Sequence, residues 1–343
     1  MGRETLGVLE GRERYELVRL IAEGGMGTVY KARKIGVAGF EKTVAIKMLR
    51  KQLSDNESYV ESFISEAKLV ANLIHENIVQ IYQLERYAGA YYFVIEYVDG
   101  MALFDLVDFH VKLRRQMPLE LAVFIAARVA RGLAYAHSRR GADGRPLGIV
   151  HCDVCPHNIL INTEGVPKIT DFGIARVASQ KAAEGRVSGK LAFMAPEQAR
   201  LEPVDFRADI YALGIVLFYM ISGRMARNVG LQPTEQLAQA RENRIDWSLL
   251  PENLPEEIIA MLHKMLAGDP SDRYDDTSVL ARDLEYYIYK DGYGPTIVTL
   301  ADYMKTLMPG RFGLEPDAET DAIGDDDRTI VLNQKTIKME MKS

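Results

Sequence analysis

The sequence predicts an α+β protein of two unequal lobes, a small β-rich one followed by a larger α-helical one. Two observations carry this. From Tyr15 to about Tyr97, short runs of β-branched and aromatic residues recur (TVYKA, TVAIKML, IVQIYQL, YYFVIEYV) around a single helical segment, the pattern of short strands. Beyond it the apolar residues fall at helical spacing. Residues 118–138 read as one long amphipathic helix, 208–222 as a buried one, and 255–268 and 274–290 as two more.

In chain order, residues 1–14 are an N-terminal extension without the apolar run of a signal peptide, and Leu6 stands where myristoylation wants Ser or Thr. The small lobe spans 15–97 and the large lobe 98–290. A Gly-, Pro- and Arg-rich stretch at 139–148, RRGADGRPLG, reads as a surface insertion. After the Gly/Pro break DGYGP, residues 296–308 predict one more helix, inside a C-terminal extension at 291–310. Residues 311–343 form an acidic tail. From Glu315 to Asp327 it holds seven acids and no base, a composition that favours disorder.

Composition narrows the function. With 48% hydrophobic and 26% charged residues the chain is an ordinary globular protein. A net charge of −6 gives no global basic field for nucleic acid or an anionic membrane. The longest apolar run, 212–221, is about half of what a bilayer needs and predicts a core helix, with no membrane segment. Two cysteines in one loop are too few for a disulfide framework and fit a reducing compartment, so the expected location is the cytoplasm.

Several residues promise chemistry. AEGGMGTV at 22–29 can be laid on a glycine-rich phosphate loop, with Ala22 at the first glycine position, Gly24 at the second, Gly27 at the third, and Val29 after it. A glycine-rich hairpin turn gives the same letters. Lys47 lies in the apolar strand VAIK, where a lone ammonium is costly to bury and needs an anion. Glu66 lies on a helix between Phe63, Leu69 and Val70, so it faces inward and is the expected partner.

HCDVCPHNIL at 151–160, DFG at 171–173, MAPE at 194–197 and DPSDRY at 269–274 complete an ordered set. With VAIK and Glu66, these motifs make the stretch from Tyr15 to about Lys290 resemble a bacterial Hanks-type (eukaryotic-like) serine/threonine protein kinase. The resemblance implies the two-lobed protein kinase-like fold, with ATP and Mg2+ as cofactors and protein substrates as partners. It implies that Lys47, held by Glu66, contacts the α and β phosphates, and that Asp153 orients the attacking hydroxyl. Asn158 and Asp171 would hold Mg2+. Ala45, Ile95 as gatekeeper, Glu96, the backbone of Val98, and Leu160 would surround adenine. His151 and Phe172 would pack the two loops together, and His75 and His137 would be packing residues. Glu197 would pair with Arg273, and Asp209 would bind the catalytic loop's backbone.

The chain departs from that pattern at three places. Cys152 replaces the arginine that answers to activation-segment phosphorylation, which makes this a non-RD loop and predicts activity independent of Ser179 and Ser188. Cys155 replaces the lysine that stabilises transferred charge, and Lys190 is the candidate to supply the missing cation, or else a solvated side chain. Cys152 and Cys155 form a C-x-x-C without a second pair for zinc, so buried thiols are expected over a redox switch. Tail residues Thr329 and Thr336 are candidate autophosphorylation sites for a phosphothreonine-reading partner. The function expected is transfer of the γ-phosphoryl of Mg–ATP to serine or threonine hydroxyls, autophosphorylation included. The rival is a pseudokinase, a nucleotide-binding scaffold.

Overall fold

The computed structural model describes residues 5–23, 27–49, 60, 61, 64, 70–172 and 191–312. Six antiparallel strands build the small lobe: β1 Gly7–Glu10, β2 Arg14–Glu23, β3 Gly27–Ile35, β4 Glu41–Leu49, β5 Ile81–Tyr87 and β6 Ala90–Glu96. Their order is β1-β2-β3-β4-β6-β5. The sheet thus begins before Tyr15, because β1 pairs with β2 from Gly7↔Leu17 to Glu10↔Arg14. The reason is apolar. Leu9 joins Tyr15, Leu17, Ala32, Val44, Ile46, Tyr92 and Val94 in one buried cluster.

Gly27 opens β3 opposite Leu49, and a Cβ there would stand 2.0 Å from the carbonyl oxygen of Met48. Close packing of β3 on β4 therefore demands glycine at this position, whatever a phosphate also asks of it.

A second sheet of β7 Gly100–Ala102, β8 Ile159–Asn162 and β9 Pro167–Ile169 lies in the large lobe, in the order β7-β8-β9. Among the described residues the helices are α1 Leu103–Lys112, α2 Leu119–His137, α3 Pro196–Arg200, α4 Arg207–Ser222, α5 Pro233–Arg241, α6 Glu256–Met265, α7 Thr277–Tyr289, α8 Ile297–Leu307 and α9 Pro309–Phe312. The expected long helices are α2, α4, α6 and α7. Every residue of α4 from Ala208 to Ile221 is buried, as an all-round apolar helix must be. Helices α1 and α5 were not signalled by the sequence, α5 because only Gln236 and Ala240 of it are buried.

The expected helix at 296–308 is α8, and it packs rather than hangs. Leu300, Ala301 and Met304 are buried, and the Tyr303 hydroxyl meets His110 Nε2 at 2.6 Å while His110 Nδ1 meets the Leu106 carbonyl at 2.7 Å. The β8–β9 turn touches the same helix: Gly165 has φ +80°, and a Cβ on it would be 2.0 Å from the Ile297 carbonyl. The 139–148 insertion folds on itself through an Arg140↔Pro146 bridge and stays largely exposed. No described helix is long and apolar enough to cross a membrane.

Candidate active site

The site gathers residues from β4, the loop before β8, and the end of β9. Lys47 is on β4, opposite Val29 of β3 and Phe93 of β6. Its side chain is 12% exposed, and its ammonium donates to Asp171 Oδ1 at 2.7 Å. This gives the buried lysine the anion it needs. Glu66, the partner the sequence suggested, lies outside the described residues, as do Gly24, Lys190, Ser179, Ser188, Thr329 and Thr336.

Asn158 and Asp171 are brought side by side through the backbone. Ile159 pairs with Ile169 across β8–β9, and the Thr170 N–H then donates to the Asn158 carbonyl at 2.9 Å. The Asn158 amide nitrogen donates to both the carbonyl and Oδ2 of Asp153, each at 2.8 Å. Asp153 is thereby fixed in place, and the amide oxygen is the part of Asn158 left for a cation. A carboxylate and an amide oxygen are hard donors that suit Mg2+ when phosphate oxygens and water complete its shell.

The loop is held from below by one buried acid. Asp209, fully buried at the start of α4, accepts from the N–H of His151 and of Cys152, both at 2.7 Å, and meets His137 Nε2 at 2.9 Å. His137 Nδ1 meets the Thr277 hydroxyl at 2.9 Å, so this histidine does packing work through polar contacts. His151 Nε2 meets the Thr170 carbonyl at 2.9 Å and its ring tilts against Phe172 at 4.6 Å. His75 packs on Tyr135, and its burial lowers its pKa.

Two non-glycine residues here sit in the left-handed region, Cys152 at φ +62° and Asp171 at φ +64°. Each costs on the order of 1 kcal/mol or more, and the hydrogen bonds just described hold them there. Cys155 is 2% exposed in the large-lobe core, and no disulfide joins it to Cys152.

Val29, Ala45 and Ile95 lie on the same face of the sheet as Lys47, and Glu96 is the next residue of β6. Ala45 faces Ile95 and Val44 faces Glu96 across β4–β6. The Glu96 side chain is committed elsewhere: its carboxylate meets Lys168 Nζ of β9 at 2.9 Å and accepts from the Gln80 N–H at 3.2 Å. Val98 follows at the link to β7, and Leu160 on β8 pairs with Ala102. Lys168 was missed by sequence reasoning; alternation within β9 was the only signal for it.

The protein kinase domain profile matches residues 15–284. The chain belongs to the protein kinase family. It is 37% identical over 313 residues to the tyrosine-protein kinase MasK of Myxococcus xanthus, covering 90% of this chain and 48% of that protein. It is 34% identical over 274 residues to the serine/threonine-protein kinase PrkC of Bacillus subtilis, covering 79% of this chain and 40% of PrkC. To the serine/threonine-protein kinase PknB of Mycobacterium leprae it is 34% identical over 322 residues, covering 91% and 49%. The chain thus spans about half the length, or less, of these relatives. The kinase domain of PknI from Mycobacterium tuberculosis shares the fold, with a TM-score of 0.61 at 24% identity over 83% of this chain and 99% of that one.

Two further features of this kinase domain involve the MAPE segment and the residue after it. Glu197 and Arg273 form a buried, two-pronged ion pair, Nη1–Oε1 2.7 Å and Nη2–Oε2 2.8 Å. Gln198 accepts from the Ala195 N–H at 3.0 Å and donates to the Cys152 carbonyl at 3.1 Å. It thus ties the segment ahead of α3 to the residue before Asp153. The sequence signal for Gln198 was only its place after MAPE.

Proposed function

We propose that this chain transfers the γ-phosphoryl of Mg–ATP to hydroxyl groups of protein substrates, serine and threonine foremost, and to itself. The observation that carries the reading is the meeting of Lys47 with Asp171 and of Asn158 with Asp153 at one place, from segments far apart in sequence. Lys47 binds the α and β phosphates, with Glu66 as its second anion. Asp171 and Asn158 hold Mg2+, which when bound neutralises charge on the phosphate oxygens. Asp153, fixed by Asn158, orients the attacking hydroxyl and takes its proton. Val29, Ala45, Ile95 and Leu160 give adenine an apolar slot, with Glu96 and Val98 offering main-chain atoms and the glycine-rich stretch with Ala22, Gly24 and Gly27 serving the phosphates.

Cys155 brings no charge to the loop, and Lys190 is the residue to which we assign the missing cation. A Lys190→Ala variant should lose activity by about tenfold or more in kcat while folding normally; a change under about twofold discards this role. With Cys152 in place of a charged residue, the Ser179→Ala, Ser188→Ala double variant should retain activity.

The test is intact mass of phosphatase-treated protein incubated with Mg–ATP, beside Asp153→Asn, with phosphosites mapped. Phosphate on serine or threonine in the wild type alone supports the reading. A tyrosine acceptor has a specific observation in its favour, the name of the 37% identical relative, and phosphotyrosine alone would establish it. ATP bound without any phosphate gained would leave the scaffold reading.

A further inference from the structure

Gln198 is the third residue of α3, and its two polar ends do different work. Its Oε1 accepts from the Ala195 N–H at 3.0 Å, and its Nε2 donates to the Cys152 carbonyl at 3.1 Å. The first contact is helix capping, a side chain at the third position reaching back to the N–H of the residue before the helix. Glutamate would cap as well, and beside the positive end of a helix somewhat better. What an ionised glutamate lacks is a donor. The contact that calls for glutamine is therefore the one that leaves the helix.

That contact falls on a peptide group with little freedom. Cys152 sits in the left-handed region at φ +62°, and its N–H is anchored on Asp209. The peptide joining Cys152 to Asp153 is then gripped at both ends. Its carbonyl accepts from Gln198, and its N–H donates to His151 Nδ1 at 3.2 Å. His151 accepts there because its Nε2 carries the proton that goes to the Thr170 carbonyl. Asn158 holds the next carbonyl and the carboxylate of Asp153. These partners belong to the loop itself and to α4, whereas Gln198 reaches the loop from α3. A return of Cys152 to negative φ would swing its carbonyl off Gln198 and carry Asp153 with it.

We infer that Gln198 is a positioning residue for phosphoryl transfer: it pins the Cys152–Asp153 peptide from outside the loop and so keeps the Asp153 carboxylate aimed at the acceptor hydroxyl. The inference rests on the kinase reading proposed above. The tie is a neutral hydrogen bond, so it forms without any phosphate on the chain. It acts on Asp153 rather than on Lys47 or Asp171, so the transfer step should feel its loss more than ATP binding does.

The test uses the full chain with Mg–ATP and myelin basic protein as a general phosphoacceptor, comparing wild type, Gln198→Glu and Gln198→Met for single-turnover transfer rate, KM of ATP and thermal midpoint. Gln198→Glu keeps the cap but sets a carboxylate against the Cys152 carbonyl. Its transfer rate should fall about tenfold with the ATP KM within about twofold, and its midpoint should stay within about 2 °C of wild type. Gln198→Met loses both contacts without adding a charge, so its midpoint should drop further while its rate falls about threefold. Capping alone gives the opposite order, a wild-type Gln198→Glu and an impaired Gln198→Met. A Gln198→Glu rate within about twofold of wild type therefore overturns the inference, as does a loss of rate with a proportional rise in the ATP KM. If Gln198→Glu does not fold, Gln198→Met decides: a rate below about half of wild type at unchanged ATP KM supports the inference, and a smaller loss ends it. A wild type that binds ATP but phosphorylates neither itself nor the acceptor sinks the kinase reading, and this inference with it.

Discussion

Arg273 and Arg227 are two buried arginines that share one aromatic neighbour and are stabilised in opposite ways. Their guanidinium carbons lie 4.8 and 5.4 Å from the Tyr211 ring, and they are 3% and 4% exposed. Arg273 is neutralised by Glu197 in a two-pronged pair and also donates to the carbonyls of Ala267 and Arg207. Arg227 has the carbonyls of Ala192 and Met194 and the Tyr211 phenol instead. The difference teaches that burial of a cation needs acceptors first and a counter-charge second. It also separates two jobs: the first arginine ties α3 to the loop before α7, and the second supports a stretch of main chain.

The largest expected effect comes from breaking the neutralised side. Glu197→Ala leaves Arg273 buried with its charge uncompensated and should destabilise the domain by about 3–5 kcal/mol in denaturant unfolding. Replacing both partners, Glu197→Leu with Arg273→Met, should recover most of that loss, since an ion pair and an apolar pair of like volume are often close in free energy. A double variant as unstable as the single one would mean the carbonyl contacts of Arg273 matter more than its charge.

A smaller effect sharpens the contrast from the other side. Tyr211→Phe keeps the ring beneath both arginines but removes the hydroxyl that accepts from Arg227 and donates to Asn243. It should cost about 1–3 kcal/mol, the desolvation penalty of a donor and an acceptor left unmet. Arg273 loses only a face contact of slightly altered character. If a Tyr211→Phe, Glu197→Ala variant shows additive losses, the two arginines act separately.

The smallest effect concerns a buried polar group that carries no charge at all. Burial holds His110 below its usual range. The unfolded chain takes up a proton near pH of about 6.5 while the folded chain resists it, so the unfolded state binds more protons below that pH. Stability is therefore present above it and declines as the pH falls. Thermal unfolding of wild type and His110→Gln should converge on acidification; His75 is shifted in the same direction, so part of the decline remains in the variant. Parallel curves would show that His110 protonates in the folded state without penalty.

How much of this was legible differs along the same line. Glu197 and Arg273 stand in MAPE and DPSDRY, where a chemical need fixes both residue type and place. So do Lys47, Asp153, Asn158 and Asp171. The two-lobed α+β arrangement followed from the change of apolar period near Tyr97. Arg227 follows a Gly-containing loop, and nothing in RMARNVG says that its side chain turns inward, because its partners are two main-chain carbonyls and a tyrosine of α4, none of which carries a charge to match it. The Glu96–Lys168 contact was hidden for another reason. Each residue is an ordinary strand charge, and only the approach of β9 to the end of β6 joins them. Strand β1 was overlooked because one leucine, Leu9, carries its burial.

The family profile stops at residue 284, yet the turn at Gly165 has no room for a Cβ because the backbone of α8 occupies it. A chain cut at the profile's edge would uncover the faces that Leu300 and Met304 cover, and would strip the β8–β9 hairpin of its outer wall. The opposite end of that hairpin carries Asn158 and Asp171. The smallest piece of this protein worth expressing therefore ends beyond Leu307, and shorter fragments are poor material for judging its chemistry.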